Sequence, residues 1–122
     1  MLTAKTESEL RRELDRLCRE YKVPINPELE IREFSELEKV RFRLGFESIG
    51  GYDFEGTIRI WKGFTRAKAL EILYHEFKHF LDHVRDKEQM FQAWFRRHPS
   101  YFEIYEKSAM EFQKRRTRRR RI

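Results

Sequence analysis

The sequence predicts an α+β domain, on three observations: helical periodicity at both ends, two-residue alternation between them, and turn signals where the period changes. Leu10, Leu14, Leu17 and Tyr21 recur at helical spacing. Leu29 and Ile31, then Val40, Phe42, Leu44 and Phe46, alternate with charged residues, and the helical period returns after Gly63. The expected architecture is a small antiparallel three-stranded sheet packed against an N-terminal helix, a central helix and a C-terminal helix. A chain of 122 residues buries roughly two-thirds of its unfolded surface, enough for one core without staples.

Each element follows in order. The first helix has charged residues opposite its apolar stripe and is stopped by Val23-Pro24-Ile25-Asn26-Pro27, where proline removes a donor and restricts its predecessor. Two half-buried strands follow, the first around Leu29 and Ile31 and the second from Lys39 to Glu47. Gly50-Gly51 reads as a turn and Tyr52 to Lys62 as a third strand. Thr65 is the expected N-cap of a helix running to about Lys87. A short piece carrying Phe91, Trp94 and Phe95 comes next, and with Tyr101, Phe102 and Tyr105 it reads as core. His98-Pro99-Ser100 breaks it. The last helix starts there, with Ser100 and Glu103 at capping-box spacing.

The charge is uneven. Of 27 basic residues, seven lie in Lys114-Arg115-Arg116-Thr117-Arg118-Arg119-Arg120-Arg121-Ile122, leaving 20 against 21 acidic residues in the body. Residues 1–113 therefore read as one domain and 114–122 as a basic tail. The tail's expected roles are a solvated charge run, a non-specific contact with nucleic acid or an acidic surface, or a segment lying over an acidic cleft. No pattern for base-specific readout accompanies it. The single cysteine, Cys18, points to a reducing, cytoplasmic setting, and neither a membrane span nor a signal peptide fits the chain. Few amides and 39% charged residues suggest a thermophile.

The chemistry centres on His75-Glu76-Phe77-Lys78-His79. Two histidines four apart share one helix face and can bind one Zn²⁺, with the glutamate near enough to take a proton from water. On a helical wheel Leu70, Leu73, Tyr74, Phe77, Phe80, Leu81 and Val84 cover one side. His75, Glu76 and His79 fall nearly opposite, which suggests a cleft, with Lys78 at the surface. A catalytic zinc needs a third protein ligand. Glu103, Glu106, Glu111 and His98 are the candidates. Glu106, flanked by Phe102, Ala109 and Met110, lies on the side that must face the core and is the favoured ligand; His98 is its rival.

This arrangement resembles the gluzincin metallopeptidases. His75-Glu76-x-x-His79 is followed by Glu106-Lys107-Ser108-Ala109-Met110-Glu111-Phe112, like the family's E-x-x-A-[DN]-x-F helix. Size and element order are similar to the minimal archaeal gluzincins (minigluzincins) and to the ImmA/IrrE peptidase domain, where a histidine often follows four on, as His83 does here. The resemblance spans about Phe46 to Lys114, and Met110 departs from it where the family has Asp or Asn. It implies a zinc peptidase acting on peptide or protein, of a kind that a terminal segment can hold latent. His75, His79 and Glu106 would be ligands and Glu76 the general base. The strand at Thr57 to Trp61 would be the substrate-pairing edge, and His83, His98, Tyr101 or Tyr105 would steady the oxyanion. A looser resemblance, to SprT-like and YgjP-like zincins, would make His98 the third ligand. A monomer or small homo-oligomer is expected.

Overall fold

A computed structural model of the chain describes residues 2–37, 40, 50–52, 55–94, 96 and 98–121. The elements are α1 (Ala4–Tyr21), β1 (Glu28–Arg32), β2 (Gly50–Tyr52), β3 (Thr57–Trp61), α2 (Arg66–Arg85), α3 (Lys87–Trp94) and α4 (Pro99–Arg121). Among the described residues no helix is long and apolar enough to cross a membrane.

Thr3 caps α1 by accepting from the Thr6 N–H. The helix ends on Lys22, in the left-handed region at φ 52°, before the proline segment is reached. Lys22 N–H bonds to the Arg19 carbonyl and Val23 N–H to the Cys18 carbonyl, satisfying two carbonyls the helix end leaves open. Thr65 caps α2 in the same way as Thr3, accepting from Lys68 N–H. Leu10, Leu14 and Leu17 of α1 meet Leu70, Leu73, Tyr74 and Phe77 of α2 over Ile58 and Ile60 of β3 in one continuous core. Within it the buried Glu13 carboxylate accepts from the Tyr74 hydroxyl at 2.7 Å and pairs with Arg16 at 2.5 Å, so its charge is not stranded. Cys18 is buried in the same core, and burial pushes its thiol up to about 11, which leaves it unreactive at neutral pH.

The sheet differs from the expected one. Its order is β1-β3-β2, with β1 parallel to β3 and only β2 antiparallel to it. The antiparallel expectation assumed short connections throughout. A parallel pair needs a crossover of about a dozen residues or more, and residues 33–56 supply one. Gly50-Gly51 is strand rather than turn, pairing with Ile60 and Arg59. The segment read as one strand from Tyr52 to Lys62 is shared between β2, which ends at Tyr52, and the antiparallel β3, which starts at Thr57 after Gly56, whose φ of +105° suits glycine. Val40, expected extended, is helical, and the rest of the second expected strand, Lys39 and Arg41 to Glu47, lies outside the described residues.

The C-terminal half differs too. α2 ends at Arg85, and α4 begins at Pro99, ahead of Ser100, with Phe102 N–H bonded to the His98 carbonyl. Proline is at home in the first helical position, where no N–H is needed, so Ser100 lies in the first turn and not at the cap. The aromatic cluster divides. Tyr105 packs with Met90 and Ala93 in a second small core, while Phe91 and Phe102 are exposed and Phe95 lies outside the described residues.

The boundary drawn at Gln113 falls inside a continuous helix. α4 runs on through the arginine-rich end, and Arg116 is buried. Its guanidinium pairs with Glu20, donates to the Tyr21 hydroxyl, and lies over the Tyr21 and Phe112 rings at 5.3 and 5.4 Å. Arg116→Ala is therefore expected to lower the unfolding free energy by about 1–3 kcal/mol. Chemical denaturation measures this, and an unchanged midpoint would show that the contact contributes nothing.

Candidate metal centre

The centre forms where α4 crosses α2. Tyr105, Ala109, Phe112 and Arg116 recur at helical spacing and are buried. Ala109, fully buried, is small enough to let the two helices approach closely. Glu106 and Gln113 flank this stripe. α4 packs against the α2 face that carries the histidines; His79 and Glu76 are buried there, and His75 is half-buried.

The structure brings His75, His79 and Glu106 together, with one donor atom from each lying within 4.8 Å of the others. His79 Nε2 stands 3.1 Å from His75 Nε2 and 2.8 Å from Glu106 Oε1, and His75 Nε2 stands 3.5 Å from Glu106 Oε2. Donors bound tetrahedrally at zinc distances stand about 3.3 Å apart; the two imidazole nitrogens stand close to that separation, and each has a Glu106 oxygen, Oε1 for His79 and Oε2 for His75, at a comparable distance. Two imidazole nitrogens and a carboxylate are also a donor set that suits zinc. The residues present fit the ion.

The electrostatics agree with one tight cluster. Burial disfavours charge on His75, but Glu106 and Glu76 outweigh it and the imidazole is shifted upward. Burial likewise opposes charge on Glu106, yet the bonds and charges of His75 and His79 hold its carboxyl down at about 2. Burial pushes Glu76 up, against the pull of His79 and His75. In the metal-free protein these shifts act in different windows. The lowered Glu106 contributes stability above its ordinary 4.5, lost as pH falls through about 2. The raised His75 contributes below its ordinary 6.5, lost as pH rises through its folded value. Zinc takes the neutral imidazole, so affinity is expected to drop about tenfold per pH unit below the raised His75 value. Titration against a chelator across pH 5–8 measures this; a flat profile contradicts it.

Glu76 Oε2 accepts from the backbone N–H of Tyr52 in β2 at 2.8 Å. Tyr52 also reaches sideways, its hydroxyl 2.7 Å from His83 Nδ1. Of the residues considered for steadying an oxyanion, His83, one turn beyond His79, is the one joined through Tyr52 to the strand that bonds Glu76. Tyr101 stacks on His98 with ring centroids 4.2 Å apart, and Tyr105 turns its hydroxyl to Asp86. His98, the rival ligand, is exposed in a recess with Glu88, Gln89 and Gln92, outside the three-residue cluster. Glu103 and Glu111 are exposed. Lys78, expected at the surface, is half-buried and pairs with the buried Asp82 at 2.6 Å. β3 is the central strand, so it is not the edge it was expected to be; among the described residues the outer strands are β1 and β2, and β2 touches Glu76.

Two site residues escaped sequence reasoning. Tyr52 follows two glycines taken for a turn. Gln113 stands seven residues after Glu106 on the same side of α4, a spacing that could have flagged it. A groove of about 750 Å³ adjoins Tyr52 and His83, walled by Ile25, Phe80, Val84 and Phe91; the three clustered residues do not line it. Compared with known protein families, with curated proteins and with solved structures, the chain matches none.

Proposed function

We propose that the chain is a minimal zinc metallopeptidase of gluzincin type. The observation that supports it is the convergence of His75 Nε2 and His79 Nε2, on the helix that also carries Glu76, with the Glu106 carboxylate of α4. His75, His79 and Glu106 would hold the ion. Zinc, when bound, supplies Lewis acidity: it makes water acidic near neutral pH and polarises the scissile carbonyl.

The chain's own residues do the rest. Glu76 takes the proton of the attacking water at a carboxylate oxygen and delivers it to the leaving amine. Its buried, upward-shifted carboxyl is suited to both steps, because a shuttle works best with a pKa moved towards the working pH. The Tyr52 N–H fixes the carboxylate's direction. To His83, whose Nδ1 meets the Tyr52 hydroxyl, we assign the steadying of developing negative charge. The apolar groove beyond Tyr52 offers room for a side chain of the peptide.

A second reading, a zincin-like regulator that docks on polyanions, draws on Lys114, Arg115, Arg118 and Arg119, which are exposed along the end of α4. Incubating the zinc-supplied chain with an unfolded protein, with and without chelator, decides between them. Chelator-sensitive cleavage is expected. Salt-steep binding to DNA with nothing cleaved would favour the regulator.

A further inference from the structure

We infer that Gln113 is the positioning residue for His75, a role that rests on the metal-site reading above. His75 Nδ1 lies 3.1 Å from Gln113 Oε1. An amide oxygen only accepts, so this contact places the imidazole proton on Nδ1 and leaves the lone pair on Nε2, the nitrogen that faces Glu106 and His79. α4 thus grips both ring nitrogens of His75, Nε2 through Glu106 and Nδ1 through Gln113. The two gripping residues are seven apart, about 10.5 Å along the helix, and straddle the crossing point.

Neighbouring chemistry assigns the task to Gln113. Met110, one turn nearer Glu106, carries a thioether that accepts hydrogen bonds only weakly, and its side chain is exposed. The turn that bears Gln113 is held on both sides. The Thr117 hydroxyl donates to the Gln113 carbonyl at 2.7 Å, and the buried Arg116 fastens the helix to Glu20 and Tyr21 of α1. The basic end of α4 therefore fixes where Gln113 sits and, through it, which nitrogen of His75 is free. A metal-bound imidazole whose other nitrogen is held by an acceptor is a better-oriented and more basic ligand.

The test compares Gln113→Leu, which keeps size and removes the acceptor, with Gln113→Glu, which keeps an acceptor. Zinc dissociation constants from chelator competition are expected to weaken about 10–100-fold for leucine and to stay within about threefold of wild type for glutamate. Nitrogen-15 NMR of the metal-free protein at alkaline pH is expected to show His75 protonated on Nδ1 in wild type, and shared between the two nitrogens in Gln113→Leu. If leucine disturbs packing, Gln113→Met carries the comparison. Wild-type affinity together with an unchanged tautomer in the acceptor-free variant would overturn the inference. If no zinc binds to wild type, the peptidase reading fails, while the tautomer measurement still decides the role of Gln113.

Discussion

Glu76→Gln is expected to slow peptide hydrolysis by about 10²–10⁴-fold and to leave the zinc content unchanged. Glutamine keeps the length of the side chain and can still accept from the Tyr52 N–H, so the bond at 2.8 Å survives. It cannot take up a proton. Glu76 lies outside the cluster formed by His75, His79 and Glu106, so the ion should stay. Initial rates on an unfolded protein substrate, with metal counted in the same samples, measure both halves. Undiminished cleavage would remove Glu76 from the chemistry. Lost zinc would make it a structural member of the centre instead.

Glu106→Ala is expected to weaken zinc binding by on the order of 10³-fold or more, well beyond the effect of an outer hydrogen-bond partner. The carboxylate supplies the oxygens 2.8 and 3.5 Å from the two histidine nitrogens, and alanine leaves those nitrogens facing each other without it. Global stability of the metal-free protein should fall only modestly at neutral pH, because the Glu106 side chain is 38% exposed and the contribution of its pairing with the histidines is screened. That contrast separates a ligand from a packing residue. His98→Ala provides the control. It stacks on Tyr101 away from the centre and should retain the ion.

The helical parts of this fold were legible because their signals are local. The apolar stripe of α1, the Thr65 cap and the HExxH turn each depend on residues within a turn or two. Glu106 was legible for a related reason: a carboxylate on the buried side of a helix needs a partner. The sheet was not legible. β2 is three residues long and begins with two glycines, and the parallel pairing of β1 with β3 joins strands with residues 33–56 between them, which no local pattern announces. Tyr52 and Gln113 were missed because each acts across elements far apart in sequence. The wheel of α2 marked two surfaces but not what meets them: α4 brings Glu106 and Gln113 to the histidine face, and Val84, counted as core, is exposed beside the groove.

The tail shows how composition can mislead. Seven basic residues in nine suggested an appendage, yet nothing after Pro99 breaks a helix, and arginine is a good helix former. α4 simply continues. Its buried Arg116 belongs to the body, and the exposed residues around it carry the excess charge.

The most direct measurement is the metal content of the wild-type chain, counted by native mass spectrometry at neutral pH with zinc supplied, beside Glu106→Ala. One zinc per chain in wild type and none in the variant is the expected result. No zinc in wild type, or the same amount in both, contradicts a centre built from His75, His79 and Glu106.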